Sequence, residues 1–137
     1  MKCNILIGGI ENKDRDQIID DFRKLLIKCL ISTNVLARGI DVPEVDLVIN
    51  YDVPMVMECG FKHPDYANFM HRVGRTGRFG TDGLSLTMIC ETDEHEEEFV
   101  DLIEKHYDIE ITTLKKFEDL QKIFEEMREQ AKDQIQM

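Results

Sequence analysis

The stretch Cys29-Leu30-Ile31-Ser32-Thr33-Asn34-Val35-Leu36-Ala37-Arg38-Gly39-Ile40-Asp41 decides how this chain is read. A short apolar run of strand length, Cys29–Ser32, stops at a hydroxyl and an amide, and a loop containing one glycine then leads to a carboxylate. Comparable runs stand at Ile5–Ile7, Leu47–Tyr51 and Leu84–Ile89, each bounded by polar or turn residues. Helical patterns fall between them. Asp14 to Leu26 places Ile18, Ile19, Phe22, Leu25 and Leu26 on one face, with Asn12 or Asp14 as N-cap. A second pattern, capped by Asp65, carries Tyr66, Phe69, Met70 and Val73, and a third from Asp93 to Lys105 turns Phe99, Leu102 and Ile103 inward. Strand, helix and strand in alternation predict an α/β fold with parallel strands. From Lys115 onward, Phe117, Leu120, Phe124, Met127 and Ala131 keep helical spacing. They predict a terminal amphipathic helix, which either packs on its own domain, the commoner outcome, or docks a partner.

The chain has 137 residues, 42% hydrophobic and 33% charged, which fits one soluble domain able to bury a core. Its 8 Gly and 3 Pro exclude a collagen-like or disordered chain. No apolar run approaches the ~18 residues of a membrane span, and the start Met1-Lys2-Cys3-Asn4 lacks the layout of a secretion signal, so no membrane and an intracellular setting are expected. Cys3, Cys29, Cys59 and Cys90 form no C-x-x-C pair and read as reduced, mostly buried thiols rather than metal ligands. The net charge of −11 argues against gripping nucleic acid by bulk charge. That acidity belongs to the tail: residues 1–90 are close to neutral at −1, and residues 91–137 carry −10. Glu91 to Glu104, with eight acids and no Lys or Arg, reads as a solvated helix surface.

Ligands of parallel sheets gather at the carboxyl ends of strands, which directs attention to Thr33 and the loop after it. The Thr33 hydroxyl and Asn34 amide could bond phosphate oxygens, Gly39 lets backbone approach a ligand, and Asp41 could accept from a sugar hydroxyl. The same residues also suit a plain turn with local backbone bonds. A second segment, His71-Arg72-Val73-Gly74-Arg75-Thr76-Gly77-Arg78-Phe79-Gly80, repeats arginine every third residue and would put three guanidinium groups near one helix face. They suit an arriving polyanion. Salt bridges to the many carboxylates are the competing explanation, weakened by Gly74 and Gly77, which serve no purpose in a surface helix.

Together the two segments resemble the C-terminal RecA-like lobe of DEAD-box RNA helicases. Thr33–Asp41 is similar to motif V, Leu47-Val48-Ile49-Asn50-Tyr51-Asp52-Val53-Pro54 to the strand after it, and His71–Arg78 to motif VI. Gly8, Asn12, Arg15 and Phe22 line up with the family's glycine, Gln-x-x-Arg and RNA-touching helix, with Asn12 in place of Gln. The likeness spans residues 3–114, leaving 115–137 as the terminal helix. The long connection Met55–Asp65, Asn34-Val35-Leu36 and the ending Tyr107–Leu114 are similar to the messenger-RNA-export subgroup of the nuclear pore.

The resemblance implies a three-layer parallel sheet flanked by helices. It implies arginine fingers at Arg75 and Arg78, nucleotide contacts from Gly39 and Asp41, and links from His71 and Arg72 to the partner lobe. Gly8, Asn12, Arg15, Thr33 and Asn34 would hold single-stranded RNA through its backbone. The implied cofactor is ATP with Mg²⁺, held mainly by the N-terminal RecA-like lobe, and the implied setting is cytoplasmic or nuclear, at the nuclear pore. Export factors and an inositol-phosphate-dependent activator would be partners. Neither a G-x-x-x-x-G-K-[ST] loop nor an Asp-Glu-Ala-Asp run occurs, so no ATP hydrolysis is expected from these residues alone. The family's lobe opens with a strand–helix unit, and Met1-Lys2-Cys3 directly precedes what reads as its second strand. Without that unit, apolar surface is expected at Ile7 and Ile10. An alternative to the enzyme is a non-enzymatic lobe that binds RNA or protein and regulates a complete helicase.

Overall fold

The computed structural model describes residues 1–34, 45–77 and 83–135. The first strand, β1 (Cys3–Leu6), leads into α1 (Asn12–Arg23) and returns as β2 (Cys29–Ser32), parallel to β1 with Cys3 opposite Cys29 and Leu6 opposite Ser32. β3 (Leu47–Asn50) is followed by the hairpin strands β4 (Met55–Glu58) and β5 (Phe61–Pro64) and by α2 (Tyr66–Val73). β6 (Leu84–Thr87) then pairs parallel with β3, setting Leu47 opposite Leu84 and Asn50 opposite Thr87. Two acidic helices, α3 (Glu94–Tyr107) and α4 (Phe117–Ile135), complete the chain. The α/β expectation holds, with parallel pairs joined through helices. Among the described residues these pairs do not merge into one sheet, and an antiparallel pair is added to them.

That pair is the segment 55–65, whose sequence reads only as a long connection. Met55 faces Pro64 and Glu58 faces Phe61 across a two-residue turn. Cys59 and Gly60 both take positive φ, 51° and 85°. Two left-handed residues give a turn whose twist matches the strands. Glycine does this without strain, but cysteine is not a residue that announces it.

α1 stops three residues short of the expected end. Leu25 adopts φ 57°, and the Leu26 and Ile27 amides both donate to the Asp21 carbonyl, at 2.9 and 3.3 Å. The reversal turns Leu25 and Leu26 outward, leaving Leu25 74% exposed, and buries Ile27 instead. The N-cap is Glu11, without a side-chain cap bond, rather than Asn12 or Asp14. Leu6 and Ile19 form a small apolar cluster with Ile10, Ile18 and Leu30. Ile10 is therefore packed, against expectation, whereas Ile7 is exposed, as are the facing pair Ile5 and Ile31.

The larger cluster gathers Val53, Phe69, Phe99 and Ile103 between β4, α2 and α3. Asp65 caps α2 by accepting from the Asn68 amide at 3.0 Å, and Asp93 caps α3 by accepting from the His95 amide at 3.1 Å. Both caps supply an oxygen to a helix donor that has no partner within the helix. Met70, placed inward by periodicity, is 37% exposed. The acidic run is not solvated throughout. Buried Glu96 accepts from the Cys90 amide at 2.7 Å, and Glu104 accepts from the Ile111 amide at 2.5 Å, so each holds a loop against α3.

In α4, Phe117 is exposed and Leu120, Phe124 and Met127 are half-buried, and neither apolar cluster includes them. The cysteines are free but not mostly buried: Cys3, Cys59 and Cys90 are exposed and Cys29 is half-buried, because they sit at a strand start, a hairpin turn and a strand exit. Among the described residues no helix is long and apolar enough to cross a membrane.

The two helix ends give a sharp contrast. Ile103→Ala, at a fully buried position, is expected to lower stability by about 2–5 kcal/mol. Leu25→Gly should leave it unchanged or raise it by up to about 1 kcal/mol, since glycine relieves the left-handed backbone. Urea denaturation of both variants reads the difference.

Candidate functional site

The residues of interest collect where the parallel strands end. After β1, Gly8 and Gly9 turn the chain into α1, with Gly9 at φ 89°. Asn12 is the first residue of the helix and Arg15 lies one turn on, half-buried. The Thr33 amide donates to the Leu6 carbonyl at 3.4 Å, which fastens the exit of β2 to the end of β1. Gly8, Asn12, Arg15 and Thr33 therefore share one edge, and Gly8, Asn12 and Thr33 are exposed on it.

Arg72, in the last turn of α2, reaches across this edge. Its Nε donates to Asn34 Oδ1 at 3.0 Å, and Nη2 donates to the same oxygen. Its Nη1 donates to the Asp52 carbonyl at 3.1 Å and to Asn50 Oδ1 at 3.4 Å, with the Asp52 carboxylate 3.9 Å away. The side chain is only 19% exposed. Hydrogen bonds from a charged donor contribute about 1.5–3 kcal/mol each when partly shielded, whereas the exposed Asp52 carboxylate adds little. One guanidinium thus ties the exits of β2 and β3 to the end of α2. Asn34, expected to face RNA, spends its carboxamide oxygen on Arg72.

Helix α2 does not persist through the arginine repeat. Gly74 closes it, its amide donating to the Met70 carbonyl at 2.8 Å, and a Cβ there would lie 2.9 Å from that same oxygen. Arg75 and Thr76 leave the helix in a tighter turn, with amides on the carbonyls of Arg72 at 3.2 Å and Val73 at 3.1 Å. The helix expected to carry the arginine repeat therefore ends before Arg75. Arg75 is half-buried, and its carbonyl accepts from the Val45 amide at 3.0 Å. His71 is exposed on α2. Gly39, Asp41 and Arg78 lie outside the described residues.

Sequence reasoning did not single out Asn50 and Thr87, the polar residues that fall inside the apolar runs Leu47–Tyr51 and Leu84–Ile89 and end the observed strands. Asn50, 2% exposed, donates from Nδ2 to Thr87 Oγ1 at 3.1 Å. Nor did it single out Tyr107, whose hydroxyl donates to the Tyr66 carbonyl at 2.8 Å while His106 stacks on the Tyr66 ring at 4.0 Å. These contacts hold the start of α2, and with it Arg72.

Three buried side-chain atoms among the described residues, Arg15 Nε, Thr76 Oγ1 and Ser85 Oγ, have no hydrogen-bond partner, and of these Arg15 lies on the helix that borders this edge. Magnesium ions take oxygen ligands, and among the described residues no cluster of three or more His, Cys, Asp or Glu could hold a metal ion.

Residues 1–80 match the model of the helicase conserved C-terminal domain. The chain belongs to that family. Its fold is the RecA-like fold of a DEAD-box C-terminal domain: the solved C-terminal domain of the DEAD-box protein Dbp5 is 39% identical with a TM-score of 0.78, over 91% of this chain and 68% of that one. Saccharomyces cerevisiae Dbp5 bound to RNA and ADP BeF3 matches at 39% identity and TM-score 0.78, over 92% of this chain and 32% of that one. A single-residue variant of that protein, bound to Nup159, a Gle1 variant, IP6 and ADP, matches at 34% and 0.75, over 93% and 32%. The ATP-dependent RNA helicase DBP5 of Kluyveromyces lactis is 46% identical over 112 residues, which is 81% of this chain and 23% of that relative. The chain thus spans about a quarter of the curated relative it matches.

Gly83, just before β6, packs directly on Thr76 and Gly77, and an added methyl would overlap Thr76 Oγ1 and the Gly77 nitrogen. Gly83→Ala is expected to cost about 1–3 kcal/mol and to move the amide resonances of Thr76 and Gly77 while those of α3 stay in place. A heteronuclear spectrum and a urea titration measure both.

Proposed function

We propose that this chain is the C-terminal lobe of an ATP-dependent RNA helicase of the messenger-RNA-export type. The observation that carries this reading is the convergence, at one edge, of the β1–α1 turn, the β2 exit and the arginine-bearing end of α2. The relatives it matches are RNA helicases, one of them solved with RNA and a nucleotide analogue.

ATP, when bound between this lobe and its N-terminal partner lobe, supplies a transferable phosphoryl group and its driving force. On this chain, Asp41 accepts from the ribose and Gly39 shapes the loop around it. Arg75 and Arg78 bring positive charge to the terminal phosphate, where charge spreads as the bond to it loosens. Arg72 fixes the end of α2 just ahead of Arg75, and His71 faces the partner lobe. Gly8, Asn12, Arg15, Thr33 and the amide nitrogen of Asn34 hold the sugar-phosphate backbone of single-stranded RNA, which confers affinity without sequence readout. Binding to oligo-U is then salt-sensitive despite the overall negative charge, because the acids lie in the tail. The solved complexes with Nup159, Gle1 and IP6 support nuclear-pore export factors as partners and the pore as location.

Joined to the N-terminal lobe of a Dbp5-like relative, the chain is expected to support RNA-stimulated ATP hydrolysis. Arg75→Ala and Arg78→Ala should each lower turnover by about 10³-fold or more. Unchanged turnover in both variants would refute the assignment. A chain that binds oligo-U and never supports hydrolysis with any such lobe would establish the regulatory alternative.

A further inference from the structure

We propose that Asn50 is a positioning residue for this edge: its buried carboxamide, anchored on Thr87, holds the Arg72 guanidinium in the orientation that grips Asn34 and Asp52. The inference rests on the proposed helicase function and names how that site is kept in shape.

Asn50 and Thr87 are the last residues of β3 and β6 and stand opposite each other in the parallel register. The Asn50 amide nitrogen donates to Thr87 Oγ1 at 3.1 Å, and its oxygen faces Arg72 Nη1 at 3.4 Å. A carboxamide has one accepting and one donating end, so the hydroxyl on one side orients the oxygen toward the cation on the other. The guanidinium is a planar fork, and fixing one of its nitrogens sets the directions of the rest. The remaining donors then meet Asn34 Oδ1 and the Asp52 carbonyl. The path of the chain beyond α2 depends on this too, because the Arg75 amide bonds the Arg72 carbonyl as the chain leaves the helix. Asn50 is 2% exposed and cannot touch a ligand itself. Whatever it contributes to binding passes through Arg72.

Thr87 allows a clean test, since Thr87→Val keeps the shape and removes the hydroxyl, whereas Thr87→Ser keeps the hydroxyl. On the full 137-residue chain labelled with ¹⁵N, solvent exchange of the Arg72 Nε–H should quicken about tenfold in Asn50→Leu and in Thr87→Val, and stay within about twofold in Thr87→Ser. The Kd for oligo-U should rise about fivefold in the first two variants and hold in the third, while the backbone spectrum of α3 is unmoved in all. Should Asn50→Leu fail to fold, Thr87→Val and Thr87→Ser decide alone. Exchange at Arg72 that stays at the wild-type rate in Thr87→Val overturns the proposal, as does faster exchange with unaltered oligo-U binding. A wild-type chain that does not bind oligo-U would count against the proposed function, and the exchange rates would still decide whether Asn50 holds Arg72.

Discussion

The reach of Arg72 from α2 to the exits of β2 and β3 is the contact on which the working edge of this lobe depends. The described residues contain two apolar clusters, a small one around Leu6 and Ile19 under β1 and β2, and a larger one around Phe69, Phe99 and Ile103. Apolar packing fixes each internally but is non-directional, and it sets no orientation for the polar rim above it. The guanidinium supplies that direction, because its donors are fixed in a plane and three acceptors from two segments, the exits of β2 and β3, meet them. Removing it would leave the buried Asn50 oxygen without a charged donor and would free the Asn34 side chain at the same moment.

The support behind Arg72 is distributed along the chain. Asp65 starts α2, Tyr107 and His106 clasp its first residue from the end of α3, and Gly74 ends it before Arg75. A short helix of two turns has little intrinsic stability, so its position must come from tertiary contacts. Here those contacts lie at its two ends and on one buried ring, Phe69. The acidic residues take part as well, with Glu96 and Glu104 closing loops onto α3 and Asp93 capping it, while Glu91, Glu97, Glu98 and Asp101 stay exposed.

The parts of this arrangement legible in the letters were those governed by local rules. Strands Cys29–Ser32 and Leu47–Asn50, the Asp65 and Asp93 caps and the inward face of α3 follow from short apolar runs and side-chain oxygens at helix starts. The misreadings share one cause, which is backbone geometry that periodicity does not encode. Leu25 and Leu26 continue the helical spacing, yet one left-handed residue ends the helix. The repeat Arg72, Arg75, Arg78 invites one continuous helix, yet Gly74 ends it before Arg75. Cys59 with Gly60 makes a hairpin that no residue pair advertised. At the site, residue types identified the arginines, but their division of labour is tertiary: Asn34 and Arg72 are far apart in sequence and meet only because β2 and α2 end at the same edge.

The side-by-side isoleucines of β1 and β2, Ile5 and Ile31, are each about half open to water and directly opposed in register. They form an adhesive spot on a molecule that is strongly anionic overall. Two copies meeting there must first push like charge together, and that barrier reaches only about 10 Å at 0.1 M ionic strength. Raising the electrolyte shortens the barrier without weakening the attraction, so the colloidal behaviour of this lobe is set by its acidic tail, far along the chain from the surface it protects.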